Sequence, residues 1–139
     1  MKAYLDTSVI LRKLLGEPGA LKEWGRWEEG CTSELTQVES LRVLDRLRLQ
    51  GGLDDDEVAE KMQLLRGILE TTDLIALDSA ILDRASRSYP TVIGTLDAIH
   101  LASALLYFEN KKEKLFFLTH DRRLGIAAQA LGFETRGLN

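Results

Sequence analysis

"KLFFLTHDRRLGIAAQALG", residues 114–132, carries the reading that decides the fold. "KLFFLT" is a continuous apolar run of the kind found where both faces of a strand are covered. Asp121 leaves that strand almost at once, and "DRRLGIAAQALG" then has the make-up of a helix ended by Gly132. The same order of strand, aspartate and helix opens the chain in "KAYLDTSVILRKLL", residues 2–15, where the acid is Asp6.

Between these two segments the pattern continues. "GCTS" (30–33) and "DLIAL" (73–77) read as further strands, and "FETR" (133–136) as a last edge strand. "LTQVESLRVLDRLRLQ" (35–50) repeats its apolar residues at helical steps until Gly51-Gly52 stops it, and "DDDEVAEKMQLLRGILE" (54–70) opens acidic, as a helix dipole favours. "SAILDRASRSY" (79–89) reads as a helix finishing near Pro90. "TLDAIHLASALLYFEN" (95–110) is apolar almost throughout after its first turn and reads as a buried helix. Glu17-Pro18 predicts one more helix, over "ALKEWGRWEE" (20–29). Strands alternating with helices imply an α/β fold, a parallel sheet wrapped by helices on both faces. In that architecture ligands bind beyond the carboxyl ends of the strands, where Asp6 and Asp121 stand.

The length of 139 residues suits one domain spanning 1–139, and 45% hydrophobic residues with only 6% aromatics imply an aliphatic core. A net charge of −4 argues against holding nucleic acid by bulk electrostatics, though not against an enzyme that engages it locally. The single cysteine, Cys31, forms no internal disulfide and no zinc site, and reads as a small buried residue. The chain opens on Lys2 and strand-like sequence with no leader pattern, and no apolar run approaches the ~20 residues of a membrane span. The expected location is the cytoplasm.

Asp97, in the first turn of the buried helix, and Glu39, in the turn after "GCTS", fall in places comparable to Asp6 and Asp121. Each acid also stands where capping and the helix dipole favour it, and Thr36-x-x-Glu39 fits a capping box. Like charges ~4 Å apart repel by ~4 kcal/mol at an effective dielectric near 20. Four carboxylates on one edge therefore share protons or hold a cation, and an all-oxygen set suits Mg²⁺ or Mn²⁺ better than zinc. Such ions commonly serve hydrolysis at phosphorus. Thr7, Ser8 and Thr119 are placed to orient the ligands, with capping as their competing role.

"YLDTSVILR", "TSELTQVESLRVL", "TLDAIHLASAL" and "FLTHDRRLGIAAQALGF" resemble, in order and spacing, the successive motifs of PIN-domain ribonucleases, in particular the VapC-type toxins of toxin–antitoxin pairs. The resemblance runs from near Ala3 to near Phe133. It implies a three-layer α/β/α fold and endonucleolytic cleavage of RNA, transfer or ribosomal, dependent on Mg²⁺ with Mn²⁺ able to substitute. It puts the family's acidic quartet on Asp6, Glu39, Asp97 and Asp121, with Asp6 and Asp97 as direct metal ligands and the other two completing the shell. It also implies a homodimer and a small cognate antitoxin. Two other readings remain open: a phosphatase with a strand-end aspartate nucleophile, which would want an acid where Ser8 stands, and a non-catalytic module binding RNA or a partner.

His100, three residues after Asp97, reads as a second ligand on one helix face or as a packed histidine. His120 is expected to point away from Asp121. Arg42 and Arg46, on the face of Glu39, and Arg122 and Arg123 are candidates to clasp RNA phosphates, their alternative being a solvated face with local ion pairs. Lys111, Lys112 and Lys114 read as a solubilising loop on the opposite edge. Trp24 and Trp27 read as core packing on a short helix with Leu21, or as a groove for a partner helix.

Overall fold

The computed structural model describes residues 1–109 and 114–138. Five parallel strands lie in the order β3-β2-β1-β4-β5. They are β1 (Lys2–Leu5), β2 (Glu29–Ser33), β3 (Asp73–Ile75), β4 (Leu115–Leu118) and β5 (Glu134–Arg136). Six helices connect them: α1 (Thr7–Leu14), α2 (Glu34–Leu49), α3 (Asp55–Glu70), α4 (Ser79–Ala85), α5 (Thr95–Phe108) and α6 (Arg122–Ala130). The central strands alternate between two apolar clusters. Ala3, Leu5 and Leu118 pack with α1, α2 and α3 residues Val9, Ile10, Leu14, Leu44 and Leu65. Tyr4 and Phe117 face the other way, onto Leu101, Ala104 and Phe108 of α5 and Leu124, Ala127 and Ala128 of α6. The result is a three-layer α/β/α sandwich, with both faces of "KLFFL" covered as its composition implies.

The strand order reverses between β1 and β4, so a crevice opens beyond their carboxyl ends. Asp6 closes β1 there, and Thr119 to Asp121 close β4.

Three local readings need correction. Residues 20–28 form turns and Glu29 already begins β2, so no helix forms here, because Gly19 and Gly25 take φ of 81° and 80°, a left-handed backbone that helices exclude. Trp24 and Trp27 nonetheless pack edge-to-face, 5.2 Å between centroids, against the first cluster. The helix after β2 is capped by Ser33, whose side chain accepts the Leu35 amide, so Thr36 caps nothing and Glu39 lies beyond the first turn. Helix α4 stops at Ala85, and Tyr89 turns back so that its hydroxyl donates to the Ala98 carbonyl at 3.1 Å.

Other expectations hold. Gly51, at φ 76°, ends α2 in the left-handed conformation. Cys31 is buried, its thiol facing the Ala3 carbonyl. Lys114 precedes β4 at the sheet's amino edge and pairs with Glu134, while Lys111 and Lys112 lie outside the described residues. Among the described residues no helix is long and apolar enough to cross a membrane.

Candidate active site

Asp6 is 5% exposed and caps α1. Its two oxygens do different things. Oδ2 accepts from the Ser8 amide at 3.3 Å, the Ser8 hydroxyl at 2.6 Å and the Thr119 hydroxyl at 2.9 Å. Those hydroxyls are themselves held from the far side: the His120 amide donates to Ser8 Oγ at 2.9 Å and the Asp121 amide to Thr119 Oγ1 at 3.0 Å. The turn after β4 thereby grips the carboxylate at the end of β1. Oδ1 takes no hydrogen bond among the described residues and faces His100 Nε2 at 3.6 Å.

Glu39 reaches the same pocket from α2. Its Oε1 accepts from the Thr7 hydroxyl and from His100 Nε2, both at 2.7 Å. Thr7 Oγ1 also lies 3.1 Å from Thr36 Oγ1, which is 2.7 Å from Thr32 Oγ1, and Thr32 donates to the Leu5 carbonyl at 2.6 Å. Each hydroxyl has one proton. Because the carbonyl and the carboxylate only accept, Thr36 donates to Thr32 and Thr7 donates to Glu39. Burial pushes Glu39 up, but the bond and charge of His100 and the Thr7 bond outweigh it and hold the carboxyl below its usual range. For His100 burial works against the charged ring, and the Glu39 bond with the charges of Asp6, Glu39 and Asp97 raises it above its ordinary value.

Asp97 is half-buried in the first turn of α5. Burial raises its carboxyl, and the charges of Asp121, Asp6 and Glu39 raise it further against the pull of His100. The charges of the other three acids thus reach Asp97 at this edge. Asp121 is the most open of them and caps α6 by accepting the Leu124 amide at 3.1 Å. Among the described residues no three His, Cys, Asp or Glu side chains form a ready-made ligand cage. Glu39 is drawn to His100 and Asp121 to its own helix. The donor set still fits a small hard cation, since Mg²⁺ takes one or two carboxylates and keeps several waters. Asp6 Oδ1 and both Asp97 oxygens take no protein hydrogen bond among the described residues, and neither do Glu39 Oε2 and Asp121 Oδ2, since the bonds to those two acids fall on Oε1 and Oδ1.

Crowding of this kind costs stability. A carboxyl whose folded pKa is raised binds its proton more tightly when folded, so its contribution is present at low pH and lost as pH rises through the folded value. Asp97→Asn is therefore expected to raise the melting temperature of the metal-free protein by a few degrees at about pH 8, the gain shrinking toward about pH 5. Melting curves at both pH values check this; an unchanged or lower melting temperature at the higher pH counts against crowding.

The remaining candidates are dispersed. Arg42 pairs with Asp45 at 3.0 Å on the exposed side of α2, and Arg46 is exposed on the same helix. Arg122 is exposed beside Asp121, whereas Arg123 is spent on the Val92 carbonyl at 3.2 Å. His120 turns to the Gly137 carbonyl, 2.9 Å from Nδ1. Sequence reasoning missed Tyr4, whose hydroxyl lies 2.6 Å from His100 Nδ1. A tyrosine on a fully buried strand needs a polar partner, which was the available signal.

Fold and pocket together define a doubly wound α/β/α domain with an acidic cleft at its topological switch point. The chain belongs to the PIN domain family, whose model matches residues 3–129. It is similar to Ribonuclease VapC47 of Mycobacterium tuberculosis (strain CDC 1551 / Oshkosh), 32% identical over 139 residues that cover 95% of this chain and 93% of that protein. Ribonuclease VapC46 of Mycobacterium tuberculosis (strain ATCC 25618 / H37Rv) is 34% identical over 132 residues, 93% of this chain and 92% of that protein. Among solved structures, a toxin-antitoxin complex from Klebsiella pneumoniae shares the fold with a TM-score of 0.64 at 20% identity, over 92% of this chain and 93% of that one.

Proposed function

We propose that this chain is a Mg²⁺-dependent endoribonuclease, Mn²⁺ able to substitute, and the toxin of a type II toxin–antitoxin pair. The observation that carries this reading is that Asp6 Oδ1 and Glu39 Oε1 lie 3.6 and 2.7 Å from the same His100 Nε2, beside an Asp97 carboxyl pushed up by burial and by the charges of Asp121, Asp6 and Glu39. Membership of the PIN domain family and relatives named as ribonucleases support it. Asp6, through Oδ1, and Asp97 would hold the cation, with Glu39 and Asp121 completing its shell. When bound, a hard divalent cation supplies positive charge beside the phosphoryl oxygens and eases ionisation of water.

The chain's own groups do the rest. Ser8 and Thr119 lock the Asp6 carboxylate through Oδ2, and Thr7 and His100 lock Glu39 through Oε1. Glu39 Oε2 is then left to accept a proton from water near the scissile phosphate. Arg46 and Arg122 are exposed cations able to meet flanking phosphates of an otherwise acidic protein. A cognate antitoxin and a second copy of the chain are its expected partners, and the cytoplasm its place of action. Ser8, which occupies the position where a phosphatase would want a second acid, bonds to Asp6 and gives that rival no support.

The test is direct. Purified protein is expected to cut transfer or ribosomal RNA internally in Mg²⁺, to stop in excess chelator, and to resume when Mg²⁺ or Mn²⁺ is restored. Cleavage that persists undiminished in chelator defeats the metal-dependent reading; metal binding without any cleavage favours a binding module.

A further inference from the structure

The geometry points to His100 as the positioning residue of the acidic pocket, the group that fixes Glu39 relative to Asp6 and Asp97. His100 is 1% exposed and both ring nitrogens are engaged, Nε2 with Glu39 Oε1 at 2.7 Å and Nδ1 with the Tyr4 hydroxyl at 2.6 Å. A carboxylate only accepts, so Nε2 carries a hydrogen and is not free to ligate a metal. That decides between the two readings of Asp97-x-x-His100: the histidine serves the carboxylates and is not one of the ligands.

The connection matters because of where its members come from. Tyr4 lies on β1 two residues before Asp6, and His100 lies on α5 three residues after Asp97. Glu39 comes from α2. The bonds Tyr4–His100–Glu39 thus tie together the three backbone segments that carry Asp6, Asp97 and Glu39. Thr7 adds a second donor to the same Oε1. With Oε1 doubly bound, Oε2 is the Glu39 oxygen that takes no hydrogen bond among the described residues. Tyr4 is in turn fixed by stacking on Phe117, 5.0 Å between centroids at 17°. A donor one atom away from a ligand carboxylate, itself braced from behind, is how metal sites hold their first ring of ligands in place.

This inference rests on the function proposed above, and the experiment separates the two. The variants are His100→Gln, whose amide reaches toward Glu39, and His100→Asn, whose shorter amide reaches only toward Tyr4. Titration calorimetry of the whole chain with Mn²⁺ is expected to show His100→Asn weakened by about 10–100-fold and His100→Gln within about threefold of wild type. Cleavage of RNA should follow in kcat with KM unchanged, a split that general loosening of the fold does not produce. Equal behaviour of the two variants, or wild-type Mn²⁺ affinity in His100→Asn, overturns the assignment. Should His100→Asn fail to fold, Tyr4→Phe keeps the ring stack and removes only the brace. It is expected to weaken Mn²⁺ binding in the same direction, and unchanged affinity there overturns the assignment too. Asp6→Ala is the control for the underlying reading. If it loses Mn²⁺ while His100→Asn keeps it, only the positioning role falls; if wild type binds no Mn²⁺, both fall.

Discussion

Asp6→Ala is expected to lower RNA cleavage by at least about 10³-fold, equivalent to ~4 kcal/mol of transition-state stabilisation, and to leave the fold intact. The activity falls because Oδ2 is held by Ser8 and Thr119, and Oδ1, which takes no hydrogen bond among the described residues, is the oxygen left to hold a cation at the switch point. The fold survives because the losses are local. An N-cap is worth ~1 kcal/mol, and removing one of four like charges gives part of that back. The stranded Ser8 and Thr119 hydroxyls lie 3.2 Å apart and can bond each other. Sequencing RNA ends from cells expressing wild type or Asp6→Ala, with circular dichroism of both proteins, decides the matter. A well-folded variant that cuts like wild type ends the assignment of Asp6.

Phe117→Ala is expected to destabilise the fold strongly, costing ~3–5 kcal/mol and roughly 10–20 °C in melting temperature. Phe117 is fully buried in the centre of β4. Its ring stacks on Tyr4 and lies against Phe133 at 5.6 Å. Truncation leaves a cavity under both rings, with rigid strands on either side that cannot collapse into it. Chemical denaturation of the metal-free protein measures the loss. A cost below about 1 kcal/mol would mean that the α5 and α6 side of the sheet repacks freely, unlike a close-packed interior.

The fold was legible because its informative segments are unambiguous. An apolar run such as "LFFL", too short for a helix, reads as a strand covered on both faces, and an aspartate at the end of β1 and just past the end of β4 points to that edge as the candidate site. The misreadings fall where two local signals compete. Leu21 and Trp24 repeat at a helical step, but Gly19 and Gly25 set the backbone against a helix, and the indole rings pack just as well from turns. Ser33 and Thr36 both fit as caps; Ser33 prevails because Thr36 is drawn into the buried hydroxyl chain with Thr32 and Thr7. Asp6, Asp97 and Asp121 could be nominated one by one from their places at helix starts, and Glu39 from its nearness to the end of β2. What holds them could not, since Tyr4 and His100 are 96 residues apart and Glu39 and His100 are 61. No spacing rule reaches that far.

The grip of Thr119 on Asp6 joins residues 113 apart in the chain. During synthesis the amino-terminal strand emerges first and waits, lacking the neighbour on one side that β4 provides. A nascent polypeptide therefore carries an unfinished pocket until β4 and Thr119 clear the ribosome.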